Sequence, residues 1–107
     1  MNICFVDLTS NIDEYREKIE SFLRDLDTEK EFIGLSVKRL IKSELVFAAL
    51  HKNEIIGISG LRKKHGIARR YSVLRRDYQG KGLGKKLSLK ILAHAKKDHN
   101  IITVSYK

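Results

Sequence analysis

The stretch Ser72-Val73-Leu74-Arg75-Arg76-Asp77-Tyr78-Gln79-Gly80-Lys81-Gly82-Leu83-Gly84 decides the fold, because it joins a strand pattern to an amphipathic helix through three closely spaced glycines. Gly80, Gly82 and Gly84 let several backbone N–H groups crowd toward one ligand with no Cβ in the way. The first N–H groups of the following helix lack intrahelical partners, and the positive end of its dipole lies there too. Such a junction binds anions, and Lys81, Lys85 and Lys86 add charge. On spacing alone, a flexible turn on a lysine-rich surface stays open as the other reading.

Known phosphate loops narrow the choice. A P-loop ending on Gly84 needs glycine at Gln79 and Ser or Thr at Lys86, so it fails. A dinucleotide fingerprint starting at Gly80 needs glycine at Lys85, and the surrounding pattern is an antiparallel hairpin rather than an early βαβ unit. The pattern [QR]-x-x-G-x-[GA] is satisfied by Gln79, Gly82 and Gly84.

Outward from the loop, Leu87, Ile91, Leu92 and Ala95 form one stripe with most lysines off it, which predicts a helix over 83–98. Ile67 to Leu74 reads as a strand before the loop, and Ile101 to Tyr106 as a closing strand. Leu45 to Leu50 and Ile55 to Leu61 flank His51-Lys52-Asn53-Glu54, which predicts an antiparallel hairpin. Lys63-Lys64-His65-Gly66 marks the next turn. Nearer the N-terminus, Asn2 to Leu8 predicts a strand. A helix follows, capped by Ser10 or Asn11 and carrying Ile12, Tyr15, Ile19, Phe22, Leu23 and Leu26 on one face. A second helix is predicted from a cap at Asp27 or Thr28, with Glu31 completing a capping box and Phe32, Leu35, Leu40 and Ile41 on its apolar side, to about Ser43. The order is β-α-α-β-β-β-α-β, an α+β pattern with a mostly antiparallel sheet.

The 107 residues, 42% of them hydrophobic, suit a single domain spanning 1–107. A lone cysteine, Cys4, expected buried in the first strand, excludes an internal disulfide; with no secretory pattern at the start, a cytoplasmic protein is expected. The longest apolar run, Leu45 to Leu50, is far below the ~20 residues of a spanning helix, so no membrane role is expected. The net charge of +9 is uneven: residues 61–90 hold eleven Lys/Arg against Asp77 alone, while residues 1–31 hold four against nine acids. Such a positive field attracts nucleic acid or focuses a smaller phosphorylated ligand.

The loop and the order of elements together resemble the GNAT N-acetyltransferases over essentially the whole chain. The resemblance implies acetyl-CoA as cosubstrate and a primary amine as acceptor, joined by direct attack in a ternary complex. It implies that N–H groups of Gln79, Gly80, Lys81, Gly82, Leu83, Gly84 and Lys85 hold the pyrophosphate, while Val73 and Leu74 bond the pantetheine arm through their backbones where strands four and five splay. Arg76 stands where the family often has proline. Members usually continue with a further helix and two strands; on that expectation the chain is a short member, pairs with itself or another chain to complete the sheet, or binds the cofactor without turnover.

The amine must lose a proton before attack, and an N–H must steady the oxyanion. Leu74's backbone suits the second need; for the first, the candidates are Glu44, Tyr71 and Tyr106, each of which reads more readily as a packing or surface residue. His51, His65, His94 and His99 show no metal-ligand spacing with each other or with Cys4, so no metal is expected. G-x-S-x-G is absent, since Gly57-Ile58-Ser59-Gly60 is one residue too short. Two other classes stay in view: a nucleic-acid module using the basic surface, less favoured because only Tyr71 and Tyr78 offer stacking there, and a non-catalytic coenzyme A-binding domain. The acidic stretch from Asp13 to Glu31 also suits a basic acceptor such as a polyamine.

Overall fold

The computed structural model of the chain describes residues 2–28, 36–65, 67–98 and 104–106. Five strands form one sheet in the order β1 to β5: β1 Cys4–Asp7, β2 Leu45–His51, β3 Glu54–Lys64, β4 Ile67–Leu74 and β5 Val104–Tyr106. Neighbours pair antiparallel except β4 and β5, which run parallel. A parallel pair needs a crossover, and α3, Leu83–Asp98, supplies it. α1, Arg16–Thr28, and α2, Val37–Ile41, lie between β1 and β2. The α+β architecture and the element order match those expected.

Alternation along the strands splits the apolar residues between two faces. On one, Val46, Ala48, Leu50, Ile58 and Val73 meet Ile19, Phe22 and Leu26 of α1 and Leu40 of α2. On the other, Phe47, Ala49, Leu61 and Ala68 meet Leu83, Leu87 and Ile91, the buried stripe of α3. The sheet is thus the middle of three layers.

The hairpin between β2 and β3 turns on Lys52 and Asn53, both with positive φ (53° and 64°), as a two-residue turn matched to strand twist requires. Past Ala49 the register slips: Ala49 faces Gly57 but Leu50 faces Ile55, so Ile56 is an extra residue, a β-bulge.

Three expectations are corrected. α1 begins at Arg16 rather than at a Ser10 or Asn11 cap, because 12–15 form turns in which the Tyr15 N–H is shared between the carbonyls of Asn11 (3.3 Å) and Ile12 (3.2 Å). α2 starts from Ser36, whose hydroxyl accepts the Arg39 N–H at 3.2 Å, not from Asp27 or Thr28; Thr28 ends α1, and Glu31, Phe32 and Leu35 lie outside the described residues. Cys4 is exposed, not buried: it begins β1, which among the described residues has a neighbour strand on one side only. Residues 101–103 of the expected last strand also lie outside the described residues.

Candidate functional site

The site begins where β4 ends. Arg75 leaves the strand with its N–H donating to the Ile56 carbonyl (2.9 Å) and its Nε to the Ile55 carbonyl (3.0 Å). The bulge makes both consecutive carbonyls available to one residue. Its guanidinium also pairs with Asp25 of α1 and sits 5.5 Å from the Phe22 ring centroid, tying the strand exit to the helix layer. A 3-10 turn, Arg76–Tyr78, follows. There the N–H groups of Tyr78 and Gln79 donate to Arg75 and Arg76 carbonyls at 2.9 and 3.2 Å. The Tyr78 hydroxyl meets His51 Nδ1 at 2.7 Å, and Gln79 Nε2 donates to the Leu74 carbonyl at 3.2 Å. The loop therefore starts from a fixed base.

Gly80 and Gly82 both adopt φ 78°, and a Cβ at either would meet nothing within 4 Å. These glycines are needed for the backbone angle, not for space within the fold. From Gly80 to Lys85, six consecutive N–H groups have no backbone acceptor among the described residues; the first bond of α3 is Lys86 N–H to Gly82 carbonyl, 3.1 Å. Exposed Lys81, Lys85 and Lys86 surround this row. A helix N-terminus with such donors suits a phosphate group. Gln79 contributes its side chain to the loop's base, because its own N–H is already engaged.

The ladder separates Val73 from Leu74. Since the Arg75 N–H bonds Ile56 while Leu74 faces Gly57, the Leu74–Gly57 pair is of the non-hydrogen-bonded kind and Val73–Ile58 of the hydrogen-bonded kind. Val73's N–H and C=O thus point to β3; Leu74's point to the opposite edge. On that edge β5 pairs only with Ala68 to Arg70, so Tyr71 to Leu74 carry no strand there among the described residues. The Leu74 side chain lies over Gly57, where a Cβ would fall 2.4 Å from Cδ2, and its Cδ1 is 3.5 Å from a Cβ at Gly84. Two glycines on different elements seat one leucine.

Residues 11–107 match the acetyltransferase (GNAT) domain family. The chain belongs to the GNAT family. No curated protein matches the sequence. Among solved structures, a GNAT acetyltransferase from Streptococcus pneumoniae is 15% identical with a TM-score of 0.79, over 98% of this chain and 74% of that one. PaiA N-acetyltransferase from Thermoplasma acidophilum, solved with coenzyme A, is 20% identical with a TM-score of 0.66, over 91% of this chain and 74% of that one. An aminoglycoside acetyltransferase from an uncultured soil metagenomic sample, solved with sisomicin, is 20% identical with a TM-score of 0.61, over 98% and 76%. At these identities the likeness is one of GNAT fold.

Within this GNAT fold the three proton-handling candidates lie on three different segments, before β2, in β4 and in β5. Glu44 is exposed just before β2, its N–H bonded to the Leu61 carbonyl at 2.8 Å. Tyr71 packs against the α1-side core, with its hydroxyl 2.7 Å from Ser43 Oγ and in the space a Cβ at Gly60 would fill. Burial pushes its phenol up to about 12, against the opposing effects of Ser43 and Arg62. At neutral pH it stays protonated. Tyr106 faces Arg70 in the β4–β5 register, and its side chain lies outside the described residues. Among the described residues, no three His, Cys, Asp or Glu side chains are grouped to hold a metal, and no helix is long and apolar enough to cross a membrane.

Sequence reasoning missed four supports: Arg75 with Asp25, His51 with Tyr78, Ser43 with Tyr71, and Gly57 beneath Leu74. Only Gly57 carried a local signal, as a glycine inside a strand marks close approach.

Proposed function

We propose that the chain transfers an acetyl group from acetyl-CoA to a primary amine, by direct attack with both substrates bound. The observation that carries this is the row of six N–H groups from Gly80 to Lys85, free of backbone acceptors among the described residues, at the start of a helix in a GNAT fold. These groups would hold the pyrophosphate, with Lys81 and Lys85 adding a screened attraction. Leu74, whose N–H and C=O face the open edge, would bond the pantetheine arm, and its N–H suits a thioester oxygen as charge develops on it. Val73 then supports this edge by fixing β4 to β3 rather than by touching the cofactor.

Acetyl-CoA supplies an activated carbonyl; the C–N bond forms as the C–S bond breaks, and the sulfur takes up a proton. The chain's part is to orient the two partners and exclude competing water. Tyr71 directs its hydroxyl over Gly60 toward Ser43, away from β4's open edge, so it would shape the floor of the acceptor side rather than exchange a proton with the reacting groups. Deprotonation of the amine then falls to water or to Glu44. We further propose that acetyl-CoA is needed for turnover without a metal.

Calorimetry with coenzyme A, followed by amine-dependent release of thiol from acetyl-CoA, tests this reading. Binding in the micromolar range with thiol release on adding an amine is the expected result. No heat with coenzyme A would overturn it.

A further inference from the structure

The α1 side of the sheet carries an arrangement that packing alone does not explain. Arg62 of β3 and Arg69 of β4 face each other directly in the register. Like charges opposite each other in an antiparallel pair destabilise it. Neither arginine makes an ion pair with a carboxylate among the described residues. Glu44 sits at the same level, because its N–H reaches the Leu61 carbonyl, yet it forms no ion pair with Arg62. Arg69 is exposed and Arg62 half-buried.

Alternation puts Arg69, Tyr71 and Val73 on one face of β4. The two arginines therefore lie one step along the sheet from Tyr71 and Gly60, and Arg62's charge acts on the Tyr71 phenol. They are remote from the phosphate-type loop: Arg69 to Leu74 spans roughly 16 Å of strand. An anion bound here is thus not the pyrophosphate of a ligand held at Gly80 to Lys85.

We propose that Arg62 and Arg69 recognise a carboxylate on the acceptor, so that the substrate is an amine that carries a carboxylate at a distance, such as a short acidic peptide. This rests on the acetyltransferase reading above. Two guanidinium groups on adjacent strands can share one carboxylate through charge-assisted hydrogen bonds, and the bound anion removes the repulsion between them. A polyamine, which the acidic N-terminal segment would suit, meets two like charges here.

The test compares glycylglutamate, glycylglutamine amide and spermidine as acceptors in a thiol-release assay, with parent, Arg62→Gln and Arg69→Gln. The parent is expected to favour glycylglutamate over the amide by about tenfold or more in kcat/KM. Each variant should erase that preference through KM, leave coenzyme A affinity by calorimetry unchanged, and melt no lower than the parent. Preference for the amide or spermidine, persistence of the ratio in the variants, or release with none of the three amines overturns the proposal. Weakened coenzyme A binding in the variants also overturns it, by reassigning the arginines to the cofactor. Absence of coenzyme A binding in the parent instead removes the underlying acetyltransferase reading.

Discussion

Gly82 and Gly84 belong to one motif and serve it differently. Gly82 holds φ 78° over open space, whereas Gly84 lies within α3 with its Cβ position against Leu74. Gly82→Ala is therefore expected to cost about 1 kcal/mol of stability through backbone strain alone. Gly82→Asp adds repulsion and should weaken coenzyme A binding at least about tenfold, or ~1.4 kcal/mol, by calorimetry. Lys85→Ala should do less, since an exposed charge is screened. Tyr71 offers a second test. Its folded pKa, about 12, lies above the usual value near 10, so the folded state holds this proton more tightly than the unfolded chain. The resulting stability is full below about pH 10 and lost as pH rises toward 12, to the extent of about 2–3 kcal/mol. Urea unfolding of the parent and Tyr71→Phe across that window should show the steeper alkaline loss in the parent. That glycines would shape the loop was readable from their spacing; which of them needed positive φ was not, because helix α3 starts between them.

The coupling of β3, β4 and α3 through Leu74 concerns whole elements. Gly57→Ala places a methyl 2.4 Å from Leu74 Cδ2, and the strand end or the leucine must move. A loss of about 1–3 kcal/mol on urea unfolding is expected, with weaker coenzyme A binding although residue 57 touches no ligand in our reading. Arg75 ties the same exit to α1. Arg75→Met removes the donor to the Ile55 carbonyl as well as the ion pair, so it should destabilise more than Asp25→Asn, whose half-exposed carboxylate gives at most about 1 kcal/mol. The elements themselves were legible, since the periods of α3 and of the β2–β3 hairpin are local properties of their residues. The start of α2 was not: Thr28 with Glu31 fits a capping box, and only the structure shows Ser36 accepting from the Arg39 N–H. Nothing within five residues of Asp25 or His51 announces partners fifty and twenty-seven positions away.

At the scale of the molecule, the charge of +9, concentrated in residues 61–90, should steer a polyanionic cofactor toward the loop. Coenzyme A binding is expected to weaken several-fold as ionic strength rises from about 0.05 to 0.5 M, measured by calorimetry, as screening shortens the reach of that field. The fold could be inferred before the structure because the glycine motif and the order of elements agree. The direction of Leu74's backbone groups could not, for it depends on the register of β4 against β3. The bulge at Ile56 has a meaning for how the chain tolerates change. A β3 shortened by Ile56 would pair with β2 without a break: Ile55 and Ile58 would keep facing α1, and Gly57 would still face Ala49. Such a deletion would give the more regular sheet, but one carbonyl, that of Ile55, would be left to serve both the N–H and the Nε of Arg75. The surplus residue belongs to the strand's neighbour, and a shortened protein that folds yet no longer presents Leu74 to a ligand would reveal that division of labour.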